Sequence, residues 1–406
     1  MRKLTLAVVV LAVALAVGLT SAWGRESADP GVTSNSVLLG GTTPLSGLAS
    51  GYASVARGAE AYFKFVNAAG GVNGRQITFT YLDDAYNPSQ TVQATRQLVE
   101  QDKIFADYDS LGTEQNLAIR DYLAQRGVPQ VFVATGARTF GADYAKYPGT
   151  IGYQPTYAAE GYMYGRYIRT TTPKAKIAVL YQNDDYGKEL LTGLKAGLAP
   201  LGKALVATQG FEATATDVSS QISALKGSGA TTLMIFATPA ASIQAYVSVN
   251  KLGWKPQIFV NVVSSASQLM KISAASASNA TVEGSLSIVF LKDPTNPKWK
   301  NDPAMKLYRT IMAKYGTGDP NDVFNVYAMA SAWTMVDALK RAGKNLTRAG
   351  LLKAVTSLNE PANPFVLPGI AIKTTPTSRF PIAQAQMQRW RGGAWQSFGP
   401  LLSARS

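Results

Sequence analysis

Residues 51–82, GYASVARGAEAYFKFVNAAGGVNGRQITFTYL, hold one complete structural period of this chain. Tyr52, Val55, Ala59, Phe63 and Val66 recur at three- and four-residue spacing, so they share one stripe of a helix running from about Gly51 to Asn67. The Gly70-Gly71-Val72-Asn73-Gly74-Arg75 segment closes that helix, because glycine accepts the positive φ angles of a helix C-cap and a tight turn. Ile77–Tyr81 then reads as a strand. Asn87-Pro88-Ser89 opens the next helix, proline being tolerated in a first turn.

The same period repeats outward in both directions. Val37–Gly40, Gln76–Leu82, Ile104–Tyr108, Gln130–Ala134, Lys176–Tyr181, Thr232–Ala237 and Gln257–Val263 are short runs that are apolar throughout rather than alternating. Such runs suit strands covered on both faces of a parallel sheet, with helix-length segments between them. The fold class is therefore α/β, doubly wound. These strands are too many for one sheet of ordinary size. A break near Thr150–Gln154 reads as passage into a second lobe, Val282–Phe290 as a strand returning to the first, and Pro361–Pro368 as a third crossing. Helices are expected over Pro303–Tyr315, Val323–Arg341 and Thr347–Ser357. The expected domains are residues 34–152 and 284–360 for lobe 1, and 153–283 and 361–402 for lobe 2.

Composition narrows the chemistry. Arg2 and Lys3 precede an apolar stretch from Leu4 to Leu19, followed by small residues at Thr20, Ser21 and Ala22. That is the layout of a cleaved signal peptide over residues 1–24, and it implies a periplasmic protein. The chain has 0 Cys, so it can carry neither disulfides nor a lipid-anchoring cysteine, and 0 His. Histidine- and cysteine-based nucleophile systems and the commonest transition-metal ligands are thereby excluded. No cofactor, metal or catalytic residue is expected. Asp83-Asp84 reads as a strand-end and turn pair rather than an acid–base pair. The formal charge of +14 comes from cations scattered singly, which does not suit nucleic acid.

Several motifs stand in a characteristic order. They are Thr43-Pro44-Leu45-Ser46-Gly47, Asn67-Ala68-Ala69-Gly70-Gly71-Val72-Asn73-Gly74-Arg75, Tyr81-Leu82-Asp83-Asp84-Ala85-Tyr86-Asn87-Pro88, Gly127-Val128-Pro129, Tyr186-Gly187 and Leu252-Gly253-Trp254. Together they resemble the branched-chain amino-acid-binding proteins of ABC importers, whose fold is the type I periplasmic binding protein. The resemblance implies two doubly wound parallel-sheet lobes joined by three hinge crossovers, with a ligand in the cleft, and an inner-membrane ABC permease as partner. It implies a monomeric binding protein and not an enzyme.

Ligands of open α/β sheets bind beyond the carboxyl ends of the strands, where helix N-termini expose free N–H groups that favour a carboxylate. By the resemblance, Ser110 and Thr113 follow one such strand. Ala134, Thr135 and Gly136 follow the next and supply chiefly backbone contacts. Tyr52, Tyr153 and Tyr186 supply aromatic walls, with Tyr157 also within reach, and Pro239 and Val262 complete the set. One position departs from the family pattern. Amino-acid binders carry a Glu after the strand matching Gln257–Val263, and it pairs the ligand ammonium; here Asn261-Val262-Val263-Ser264-Ser265 has Val262. Burying an ammonium without an acidic partner costs several kcal/mol. The expected ligand is therefore a small carboxylate without an α-ammonium, such as an aromatic or other organic acid. A true Leu/Ile/Val binder, or a ligand sensor for a signalling partner, is the competing reading.

Overall fold

The computed structural model describes residues 29–403. The signal peptide expected over residues 1–24 lies outside them. None of the described helices is long and apolar enough to cross a membrane.

Two sheets organise the chain. The first contains β1 (Ser36–Thr43), β2 (Gln76–Asp83), β3 (Ala106–Tyr108), β4 (Gln130–Val133) and β5 (Thr150–Gly152), in the order β2-β1-β3-β4-β5. Every pairing in it is parallel. The second contains β6 (Ile177–Gln182), β7 (Leu205–Phe211), β8 (Thr232–Phe236), β9 (Gln257–Val260) and β10 (Leu286–Val289), joined at one edge by two strands from the C-terminal region. Between β10 and those two strands the chain forms the short pair β11 (Asn359–Glu360) and β12 (Ile372–Lys373). The added edge is a hairpin of β13 (Gln384–Arg391) and β14 (Ala394–Ser403), whose two strands are antiparallel to each other and whose β13 pairs antiparallel with β10. The sheet order is β14-β13-β10-β9-β8-β6-β7. Both sheets are thus doubly wound α/β, and the second carries an antiparallel edge that the apolar-run reading did not anticipate.

Eleven described helices have eight or more residues, and six of them start on a side-chain cap. In lobe 1 these are α1 (Ser54–Ala68), α2 (Pro88–Glu100) and α3 (Thr113–Gln125). Lobe 2 holds α4 (Tyr157–Thr171), α5 (Asp185–Leu198), α6 (Ser219–Gly227), α7 (Pro239–Lys251) and α8 (Ser267–Ser276). The chain then returns to lobe 1 for α9 (Pro303–Tyr315), α10 (Val323–Ala342) and α11 (Arg348–Val355). Asn87 accepts from the Ser89 and Gln90 amides to start α2, and Asp184 accepts from Gly187 to start α5. α10 is sequestered almost all round: between Phe324 and Leu339 only Trp333 and Asp337 are not buried. It lies against α1 so closely that a Cβ on Gly58 would stand 2.8 Å from the Asn325 Cα.

The crossovers differ in place from the sequence reading. The first follows β5, over Gly152–Thr156. β10, however, lies inside the second sheet between β9 and β13, and its Leu286, Ser287 and Ile288 are buried there. The expected return at residue 284 therefore moves to Phe290–Lys292. There Leu367 N–H donates to the Phe290 carbonyl (2.8 Å) and Lys292 N–H to that of Phe365 (3.0 Å). The Pro361–Pro368 segment touches this crossover and turns back, because Glu360 pairs with Ile372 in lobe 1. The chain leaves lobe 1 only after Arg379, whose guanidinium donates to the carbonyls of Pro148 (2.6 Å) and Thr150 (3.3 Å).

Within lobe 2, α4 meets α5 backbone to backbone. A Cβ would stand 2.1 Å from the Leu190 carbonyl oxygen at Gly161, and 2.0 Å from that of Ala158 at Gly193. At Gly165 and Gly197 the corresponding distances are 2.7 Å to Leu194 O and 2.5 Å to Tyr162 O. Glycine at four-residue spacing on both helices removes the side chains that would hold the axes apart. Gly193→Val is expected to cost about 3 kcal/mol, since the methyls would have to displace backbone. Gly227, at the end of α6, has open space where a Cβ would go. Gly227→Ala is expected to be neutral, or stabilising by up to about 1 kcal/mol. Urea denaturation of the two variants checks the contrast.

Candidate ligand-binding cleft

The lobes are shut on each other along a seam of reciprocal contacts. Asp185 N–H, at the start of α5 in lobe 2, donates to Glu114 of lobe 1 (2.9 Å). In the other direction, Arg138 N–H of lobe 1 donates to both oxygens of Glu189 of lobe 2 (3.0 and 2.9 Å). Gln268 of lobe 2 reaches the Asp322 carboxylate, which caps α10 of lobe 1. Each bond satisfies a donor or a cap that belongs to the opposite lobe.

Behind this seam lies a cavity of about 870 Å³, counted with the open space at its mouth. The first-sheet side is built from the ends of β3 and β4. Leu111 and Gly112 line it after β3, and Ala134 after β4. Gly112 has φ 108° and a Cβ there would meet Gln115 Oε1 at 2.1 Å, so only glycine brings the chain into α3 this tightly. Just behind, Thr113 and Thr135 hold their Oγ1 atoms 2.6 Å apart, and Thr135 Oγ1 stands 3.4 Å from the Tyr157 hydroxyl. The first amides of α3 have no partner within the helix. This corner therefore gathers hydroxyl and N–H donors.

Tyrosines from both lobes form the walls. Tyr52, Tyr86 and Tyr327 come from lobe 1, Tyr157 and Tyr186 from lobe 2. Tyr157 and Tyr186 meet edge to face with centroids 4.8 Å apart, and Tyr52 meets Phe324 at 5.1 Å. Burial pushes the phenols of Tyr52, Tyr86, Tyr186 and Tyr327 well above their usual range, so they remain neutral donors. The Tyr52 hydroxyl and the Gln154 Nε2 are buried without a hydrogen-bond partner. Asp83 and Asp84 are turn acids, as read from sequence. Asp83 accepts from the Leu45, Ser46 and Ala85 amides, while Asp84 accepts from Tyr86 N–H (3.0 Å) and the Thr91 hydroxyl (2.9 Å). They hold Tyr86 at φ 60° with its ring in the wall.

Of the residues singled out in the sequence, Tyr52, Ala134, Tyr186 and Val262 line the cavity. Thr113 and Thr135 stand one layer behind it. Four others are placed elsewhere. Ser110 donates to Asp107 (2.6 Å) and accepts from Thr42 N–H (3.0 Å), tying β3 to β1. At Gly136 a Cβ would stand 2.7 Å from Pro155 O, so this glycine lets the loop press on the first crossover. Tyr153 packs in the lobe 1 core between Phe132 and Tyr327, its hydroxyl bonded to Thr334 (3.0 Å). Pro239 faces Gly51 across the seam, where a Cβ on that glycine would stand 4.0 Å from the proline ring, and its neighbour Thr238 takes the wall position. The sequence reading missed the contributions of β10 and the second crossover (Ile288 to Leu291, Asp293), and those of the C-terminal hairpin (Gln388, Trp395). Only the aromatic pair Trp390 and Trp395 around Gly392-Gly393 signalled that hairpin.

Val262 and Val263 present an apolar surface where an acid was expected to be missing. Beneath them, Val262 N–H donates to Glu160 Oε1 (2.6 Å), which also accepts from the Tyr164 hydroxyl (2.6 Å). Glu160 belongs to the first turn of α4 and does not reach the cavity wall. Beside this loop the Asn261 amide is locked, its oxygen accepting from the Tyr186 hydroxyl (2.7 Å) and its nitrogen donating to Ile235 and Ala237 carbonyls (both 3.1 Å). Among the described residues, Asp293 is the sole charged side chain lining the cavity, and no Lys or Arg does so.

Comparison with known proteins agrees with this architecture. The sequence pattern of the periplasmic binding protein family matches residues 36–394. A Leu/Ile/Val-binding protein homolog 1 of Brucella suis biovar 1 is 27% identical over 352 residues, 85% of this chain and 86% of the relative. Two solved structures share the fold. One is a branched-chain amino acid ABC transporter protein from Thermus thermophilus with bound valine (TM-score 0.79, 18% identity, 91% of this chain and 96% of that one). The other is a fatty acid ABC transporter substrate-binding protein from Thermomonospora curvata (TM-score 0.77, 21% identity, 93% and 95%). The chain belongs to the periplasmic binding protein family, a family of substrate-binding proteins.

Burial raises the Glu160 carboxyl from its ordinary 4.5 to about 7. Through that window the folded protein keeps a proton that the unfolded chain releases, so stability from this group is full below about pH 4.5 and is lost as pH rises through 7. Glu160→Gln keeps an acceptor for Val262 N–H and removes the titration. Relative to the parent, the variant is expected to be more stable at pH 8 than at pH 5, by about 1–3 kcal/mol of difference. Urea denaturation at the two pH values checks this; equal effects at both would show that burial leaves the carboxyl ionised.

Proposed function

We propose that this chain is the solute-binding component of an ABC importer, exported by a cleaved segment over residues 1–24, and that it traps a small organic acid without an α-ammonium in the periplasm. The observation that carries the reading is the contrast between two walls of one cavity. At the α3 corner, Gly112, Ala134 and Tyr157 line the cavity, and the Thr113–Thr135 hydroxyl pair and the first-turn amides stand one layer behind them as neutral donors at a helix N-terminus, the environment that favours a carboxylate. Opposite in character, Val262 and Val263 present methyl groups where an ammonium would need an acid. The aromatic walls suit an apolar ligand body. The relatives span this range: one structure holds valine, and another is described as a fatty acid carrier's binding protein.

The fold supplies the mechanism. A ligand touching Tyr52 and Tyr86 on one lobe and Tyr157 and Tyr186 on the other has its full set of contacts only when the lobes are shut. That differential affinity is what shifts the open–closed equilibrium. The seam bonds of Glu114 and Glu189 add to the closed state without touching the ligand.

Isothermal titration against leucine, benzoate, 4-methylbenzoate and octanoate tests the proposal. At least one acid is expected to bind and leucine to give no heat at millimolar concentration. Tight leucine binding with no binding of any acid would overturn it. Thr113→Val is expected to weaken acid binding about 10- to 100-fold, the loss of a hydrogen bond to a charged group.

A further inference from the structure

We infer that the cavity has a second polar subsite, centred on Asp293, that takes a cationic or strongly hydrogen-bond-donating group at the far end of the ligand. Asp293 is 8% exposed and faces the cavity just past the second crossover. Its three hydrogen-bond partners are all neutral. Oδ2 accepts from the Ser267 hydroxyl, and Oδ1 accepts from the Thr295 amide and hydroxyl, both at 2.7 Å. A carboxylate has room for about four donors, so acceptor capacity remains. The adjacent cation is engaged elsewhere: Lys292 Nζ lies 3.0 Å from Asp302 and over the Trp299 ring. Nearly buried carboxylates are ordinarily paired, since an uncompensated buried charge is costly.

The surroundings fit the same ligand group. Gln388 and Trp395 of the C-terminal hairpin and Phe290 of the crossover line the same cavity. Aromatic faces attract cations. The Trp395 indole itself is fixed, its Nε1 donating to Ser265 O at 2.6 Å. These segments are distinct from those that form the α3 corner, so the two polar groups belong to different parts of the cavity lining. The subsite thus deepens the organic-acid reading and rests on it. It selects acids whose apolar body ends in an ammonium or comparable donor over acids that end in a methyl.

The test is a calorimetric comparison of three straight-chain series of five to eight carbons with the intact mature protein: ω-amino acids, the corresponding methyl-ended acids, and alkylamines. At one or more chain lengths the ω-amino acid is expected to bind at least 10-fold tighter than the methyl-ended acid. Asp293→Asn, which retains an acceptor for Thr295, is expected to abolish that gain while leaving the methyl-ended acids within about 3-fold of the parent. Methyl-ended acids binding as tightly at every length would overturn the subsite and leave the organic-acid reading standing. Equal weakening of both series by Asp293→Asn would assign Asp293 to structure alone and overturn the subsite as well. Alkylamines binding in an Asp293-dependent way while no acid binds would support the subsite and overturn the carboxylate corner. Binding of none of the three series overturns the subsite, and the organic-acid reading then stands or falls on the titration with benzoate and 4-methylbenzoate.

Discussion

The cleft depends on a contact that contains no side chain. Gly161 and Gly165 on α4 lie against Gly193 and Gly197 on α5, and a methyl at any of them would stand within 2.7 Å of a backbone carbonyl oxygen on the opposing helix. That approach sets where both helices begin. Tyr157 is the first residue of α4 and Tyr186 the second of α5, so their rings meet at 4.8 Å on the cavity wall. The same register places Glu160 under Val262 and Glu189 against Arg138 of the other lobe. One helix–helix distance thereby positions two rings of the cavity wall, the support of the valine loop, and one side of the seam between the lobes.

Around this fixed pair the polar groups divide by task. Asn261, Glu160 and Asp84 do not line the cavity; each holds the loop or ring that does. The tyrosine hydroxyls stay protonated because burial disfavours the phenolate, which keeps them available as donors. Glu114 and Glu189 act across the seam, where a backbone amide of one lobe finds its acceptor only on the other. A free amide at a helix start is satisfied by water when the lobes part. The seam bonds are therefore exchangeable, as a clamp that opens and shuts requires.

Much of this was legible in the sequence for physical reasons. The α/β class followed from apolar runs that need cover on both faces, and α9, α10 and α11 followed from long amphipathic or apolar segments with evident caps. The resemblance put Tyr52, Ala134, Tyr186 and Val262 at the ligand, and all four line the cavity, where strand ends and helix starts converge. The failures also have causes. β7, Leu205–Phe211, alternates exposed and covered residues because it is an edge strand, and so it lacks a continuous apolar run. β10 is only four residues long, and nothing local tells which sheet claims it; pairing with β13, some hundred residues later, decides that. The contributions of Asp293, Gln388 and Trp395 were illegible for the same reason, since they arise from crossovers whose positions are set by long-range pairing. Tyr153 was misleading because an aromatic just after a crossover can turn either way, and here Phe132, Tyr327 and Thr334 draw it into the core.

On the proposed reading a ligand carboxylate sits at the α3 corner of a shut cleft, and a crystal structure grown with the tightest-binding organic acid would locate it. The expected result is a carboxylate oxygen within hydrogen-bond distance of the Thr113 hydroxyl or the first-turn amides of α3, with the ligand body between the tyrosines of the two lobes. A carboxylate lying against Val262 and Val263, or outside the cleft, would contradict it.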